Sequence, residues 1–181
     1  MNNKTLYIGV DIGDKGGCSF FYDKEKNPRH YIDFRKLDSI KEFCGELLGF
    51  ISDYSNIYAC IEKVHSMPNN GAVSSFKFGY SAGWVESIFK TLNIDYSMVT
   101  PQHWKEHFDC IIKKSDYLDK NNAQLKSLKK IIVQDKSFVI MDKEYLLENY
   151  CQRKKRGGFK KDIEFYDAIM IGKYCQINFS K

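Results

Sequence analysis

No run in this sequence is both apolar and long enough to span a bilayer, and no secretory leader opens it, so the expected compartment is intracellular. The six cysteines, Cys18, Cys44, Cys60, Cys110, Cys151 and Cys175, include no CxxC pair. That spacing excludes a zinc ribbon and a disulfide framework, and leaves six buried thiols. Acids are missing altogether from residues 153–161, where Arg153, Lys154, Lys155, Arg156, Lys160 and Lys161 stand together. What remains is ordinary for a globular chain: 181 residues, 43% apolar, enough for one domain with a real core and too few for two large ones.

Charge is unevenly placed. Residues 1–110 hold 12 Lys and Arg against 14 Asp and Glu, and residues 111–181 hold 16 against 9, so the halves carry −2 and +7. A near-neutral half joined to a basic one points to a polyanionic partner, with a solvated basic face as the plainer alternative.

The first strand and its turn organise the rest. Residues 6–10 form a short apolar run bounded by Gly13, Gly16 and Gly17, which reads as a buried strand ending in Asp11. A carboxylate there is costly unless it is paired, hydrogen-bonded or bound to a cation. Residues 18–23 and 29–34 read as two further strands around a 25–28 turn, giving an antiparallel meander. Ile40, Phe43, Leu47, Leu48 and Ile51 recur at helical spacing and predict a helix over about 36–53. Residues 57–62 repeat the first pattern, an apolar run closed by an acid, here Glu62. Side by side, the two strands would release Asp11 and Glu62 at one end of the sheet, where a divalent cation offsets the repulsion of like charges.

Residues 65–77 read as a polar loop entering a helix over 78–92, followed by a strand over 94–99. Thr100 before Pro101 marks a helix start. A lysine-rich helix is expected within 111–136, its apolar side on the body and its basic side outward. Residues 138–141 fit either a short strand or a connection into a helix over 143–150. The last helix is expected from about Asp162, with Ile163, Tyr166, Met170, Tyr174 and Ile177 on one stripe. Glu164 and Asp167 lie three apart, about 60° around a helix, and can address one ligand. Asp162 serves more naturally as the N-cap, with a reserve role as ligand. Two strand-end acids and an acidic helical pair, in lysine-rich surroundings, are the inventory of a two-metal phosphodiesterase using Mg²⁺.

The ordered set Ile8-Gly9-Val10-Asp11, Ile61-Glu62-Lys63-Val64-His65, Phe76-Lys77-Phe78-Gly79-Tyr80-Ser81-Ala82-Gly83, Val99-Thr100-Pro101-Gln102-His103-Trp104-Lys105 and Asp167-Ala168-Ile169-Met170-Ile171-Gly172 resembles the RuvC-like Holliday junction resolvases of the RNase H-like superfamily. The likeness covers roughly 5–108 and 158–175, and is nearest the phage, bacterial and plant-organellar branches. It implies an α/β, RNase H-like fold, a five-stranded mixed sheet flanked by helices. A single nuclease domain would span 1–181, with a basic insertion at about 111–136 and a basic loop at about 151–161. It implies a homodimer that nicks four-way DNA junctions with two Mg²⁺ ions per site, Mn²⁺ substituting, in the cytoplasm of a bacterium or phage-infected host, or in a viral or organellar setting.

By position, Asp11, Glu62 and Asp167 would be metal ligands and catalytic acids, with Glu164 or, in reserve, Asp162 as the fourth. Lys113 or Lys114 would contact the scissile phosphate. His65 or Phe76 would stack on a base at the crossover, with a core-facing place in the helix as the equal alternative for Phe76, and Lys77, Lys105, Arg153, Lys154, Lys155, Arg156, Lys160 and Lys161 would meet DNA. Trp84 and Trp104 read as core. Other readings are a non-catalytic branched-DNA-binding module and an RNase H-like nuclease acting on RNA–DNA hybrids. The glycine turn also fits sugar kinases and actin-like ATPases, but the second phosphate loop they need is missing.

Overall fold

The structure is a computed structural model that describes residues 4–13, 15–63, 71–112, 121–151 and 165–180. In chain order it runs β1 (Thr5–Asp11), β2 (Gly17–Tyr22), β3 (His30–Asp33), a 3-10 turn (Phe34–Lys36), α1 (Ile40–Ile51), β4 (Asn56–Glu62), α2 (Ala72–Thr91), β5 (Asp95–Val99), α3 (Pro101–His107), α4 (Asn122–Ile140), α5 (Lys143–Tyr150) and α6 (Phe165–Phe179). The strands form one mixed sheet in the order β3-β2-β1-β4-β5. The first three are antiparallel, and β1, β4 and β5 are parallel. The sheet and its topology are those of the RNase H-like fold, as the resemblance implied.

Alternation along the strands sorts the core into two layers. Leu6, Ile8, Val10, Ala59 and Ile61 face one side, where Phe43 and Leu47 of α1 and Val85, Ile88 and Phe89 of α2 cover them. Tyr7 and Cys60 face the other side, with Trp104, Val133, Leu146 and most of α6. Asp11 and Glu62 continue the second set, four residues beyond Tyr7 and two beyond Cys60. Both acids therefore belong to the face that α6 covers.

Helix α6 is buried nearly all round, from Phe165 and Tyr166 to Cys175 and Gln176. Its apolar surface serves the sheet on one side and α4 on the other, where Gln134 donates to the Tyr166 hydroxyl at 3.1 Å. Close approach to β1 depends on two glycines. A methyl group on Gly9 would overlap the backbone of Gly172, and one on Gly172 would overlap the Ser19 hydroxyl. Buried Ser19 clamps the contact, donating to the Ala168 carbonyl at 2.7 Å.

Several elements differ from the sequence expectation. Helix α1 begins at Ile40 behind its Ser39 cap, not near residue 36, because a separate 3-10 turn occupies Phe34–Lys36. Helix α2 begins at Ala72, so the part of the expected 65–77 loop from Ala72 on is helical. Residues 138–140 finish α4 and Met141 caps it; no strand forms there. Ile177 leaves the buried stripe and is 46% exposed.

The glycine contact gives a direct test. Gly9→Ala is expected to destabilise the fold by about 1–3 kcal/mol through overpacking. Gly45→Ala, in the exposed interior of α1 with open space around it, should gain up to about 1 kcal/mol from helix propensity. Denaturant midpoints for the two variants check both signs.

Candidate active site

The register of β1 against β4 fixes the first two acids. Val10 pairs with Ile61 in parallel, which carries Asp11 and Glu62 off the same end of adjacent strands. Strands so paired lie about 4.8 Å apart, so the two carboxylates meet. The charge of Glu62 acts directly on Asp11.

Asp167 arrives by a different route. From the Gly9–Gly172 contact, Asp11 lies two strand residues onward, about 6.6 Å. Asp167 lies five helical residues back, about 7.5 Å. The two paths run to the same end of the sheet, and Asp167 acts electrostatically on both other acids. Among the described residues, no three His, Cys, Asp or Glu side chains meet closely enough to hold a metal ion. Asp11 and Glu62 come from adjacent strand ends, and Asp167 comes to them from α6.

Burial, the Glu62 carboxylate and Asp167 together hold Asp11 well above the usual carboxylate range, against the pull of Lys105. Glu62 is raised too, by burial and by Asp167, while the Trp104 N–H and Lys105 oppose the rise. Like charges brought together in this way favour a bound cation that offsets them. The three acids offer hard carboxylate oxygens, which suit Mg²⁺ or Mn²⁺.

Two residues join the acids from α3. Its Thr100 cap accepts from the His103 N–H at 3.2 Å, with Pro101 opening the first turn. Since Val99 is the register partner of Glu62, the helix starts beside that acid. Trp104, wholly buried, donates its indole N–H to Glu62 Oε1 at 3.0 Å. Lys105 Nζ sits 4.6 Å from the centre of the same indole ring. A groove of about 390 Å³ lies alongside, lined by Lys105, Cys110, Leu125 and Lys129 among others. A larger cavity of about 510 Å³ sits between α1 and α2 and is lined by none of these acids.

Other sequence candidates separate. Phe76 and Lys77 lie on exposed turns of α2, with Phe76 74% exposed rather than core-facing. His65, Lys113, Lys114, Arg153, Lys154, Lys155, Arg156, Lys160, Lys161, Asp162 and Glu164 lie outside the described residues. Sequence reading counted Lys105 only among the DNA contacts and Trp104 only as core. The signal for both was the Val99-Thr100-Pro101 start, which ties α3 to the strand beside β4.

No protein-family model and no curated protein matches the chain. Among solved structures it is similar to Thermus thermophilus RuvC in complex with Holliday junction substrate, at 10% identity and a TM-score of 0.53, over 92% of this chain and 90% of that one. A second T. thermophilus RuvC structure matches at 13% identity and 0.49, over the same shares. The large terminase nuclease from thermophilic phage G20c matches at 9% and 0.48, over 96% of this chain and 83% of that one. The first likeness shows the fold: the chain has an RNase H-like fold shared with that structure.

The raised Asp11 sets a pH signature for the metal-free protein. A carboxyl whose folded pKa exceeds its unfolded one stabilises at low pH, and that contribution is lost as pH rises through the folded value. Asp11→Asn removes the charge that must be buried. Its melting temperature should match that of the wild type at acid pH and exceed it by a margin that grows towards pH 8. Each unit of pKa elevation corresponds to about 1.4 kcal/mol. Thermal melts in chelator across that range check the sign.

Proposed function

We propose that this chain is a Mg²⁺-dependent, structure-selective endonuclease that works as a homodimer and makes paired, symmetric nicks in four-way DNA junctions, leaving 5′-phosphate and 3′-hydroxyl ends. The observation that carries the reading is the meeting of Asp11 and Glu62 at one end of adjacent parallel strands, with Asp167 facing them from α6. Like charges gathered in this way lower stability unless a bound cation offsets them.

Asp11 and Glu62 would hold the metal, with Asp167 closing on it and Glu164 or Asp162 as the candidate fourth ligand. When bound, Mg²⁺ supplies Lewis-acid activation of the attacking water and charge stabilisation at the leaving oxygen. Lys105 offers its charge to a non-bridging phosphate oxygen beside the acids. The groove lined by Lys105 and Lys129 gives the adjoining backbone a basic wall. The basic segments at about 111–136 and 151–161 extend the same role within a single 1–181 domain.

Symmetric cleavage needs two sites related by a two-fold axis, as the junction itself provides. The outer face of α2 suits such a pairing. Val73, Phe76 and Tyr80 are 71%, 74% and 60% exposed, and Gly83 and Ser87 continue their stripe without a charge. An apolar patch of this kind is what an isologous helix contact buries. Phe76→Glu combined with Tyr80→Glu is therefore expected to convert a dimer to a monomer in sedimentation velocity, and to replace paired nicks by single ones.

Activity is tested with Mg²⁺ and labelled four-way junction, linear duplex and RNA–DNA hybrid. Junction-selective paired nicking is the expected result. Asp11→Asn should lower it by roughly 100-fold or more while junction affinity holds, since phosphate contacts dominate binding. Cleavage of the hybrid alone would favour a hybrid-directed nuclease, and binding without cleavage a non-catalytic module.

A further inference from the structure

The Trp104 indole meets two groups of opposite charge at once. Its single N–H, a donor with no acceptor capacity, points at Glu62 Oε1 at 3.0 Å. Its ring face carries Lys105 Nζ at 4.6 Å from the centroid. The ring is fully buried and packed within the core layer that α6 forms with the sheet. Glu62, by contrast, is a half-buried side chain at a strand end with several rotatable bonds.

We infer that Trp104 is a positioning residue for Glu62, its N–H fixing one carboxylate oxygen so that the other is presented towards Asp11 and a bound divalent cation. This rests on the metal-dependent reading of the site given above. A carboxylate ligand that keeps one oxygen in a fixed hydrogen bond enters coordination already oriented, and loss of such an outer partner weakens metal binding. The same ring sets the lysine on its face, so one rigid side chain holds an acid and a cation of the site in register. The competing account is that Glu62 merely satisfies a buried indole. In that case removal of the N–H would change stability and leave metal affinity alone.

The chain has two tryptophans, and Trp84 lies across the sheet against Phe34 and Phe43. In a Trp84→Phe background Trp104 is the sole tryptophan, and its emission reports the Glu62 contact. Mg²⁺ titrated into this variant without DNA is expected to shift the emission along a saturable curve, which Asp11→Asn in the same background displaces to higher concentration. In the otherwise native chain, Trp104→Phe keeps an aromatic ring at this buried place, gives up the rest of the indole volume, and deletes the donor. The midpoint of the Mg²⁺-induced rise in melting temperature should then increase roughly 10–100-fold.

An unchanged Trp104 emission at saturating Mg²⁺ overturns the inference, as does a Trp104→Phe midpoint within about twofold of the wild type. Should Trp104→Phe fail to fold, the emission titration decides alone. A wild-type chain whose melting temperature ignores Mg²⁺ overturns the nuclease reading and this inference with it. A wild type that responds, beside a Trp104→Phe that responds at the same midpoint, overturns the inference only.

Discussion

Backbone-to-backbone packing of α6 on β1 is the constraint from which the arrangement of the acids follows. Gly9 and Gly172 let the two main chains approach as no side-chain contact would, and Ser19 ties the Ala168 carbonyl to the second strand. Depth matters here because it sets register as well as distance. A helix held by its main chain cannot slide or roll freely, so Asp167 is carried to the end of the sheet where β1 and β4 release their own carboxylates. Further along α6, Lys173 and Gln176 donate to the carbonyl of Glu25 at the turn after β2. The helix is thus anchored beyond its glycine contact as well.

The electrostatics of the site run against stability. Two carboxylates at adjacent strand ends, a third from α6 and burial push Asp11 and Glu62 towards the protonated state, and Lys105 only partly offsets this. Evenly distributed charge would have made a more stable end to the sheet. The fold instead concentrates the cost at the strand ends and keeps the layers on either side of the sheet apolar.

Much of this was legible in the sequence, for a definite reason. The 6–11 and 57–62 stretches each show an unbroken apolar run closed by an acid, a pattern that depends on no distant partner. The approach of Asp11 to Glu62 follows from it once the two strands lie side by side, whereas the five-stranded mixed sheet came only from the family resemblance. The start of α2 was not legible, because Val73, Phe76 and Tyr80 put apolar residues on the solvent side and erase the helical period there. Residues 138–141 carry strand-like side chains, and the capping of α4 at Met141 overrides that preference. The Trp104–Glu62 bond joins positions 42 apart. An indole that packs in the core and one that also orients a carboxylate look alike in a single sequence.

The construction of α6 has one more effect. The same helix supplies much of one core layer and the third acid, so no partly folded form can lose the helix and keep the acid constellation. Opening α6 removes the support of β1 and the cluster of charge together. The gathering of the three acids is therefore all-or-none with respect to that helix, and damage along its buried length disperses them without touching a carboxylate.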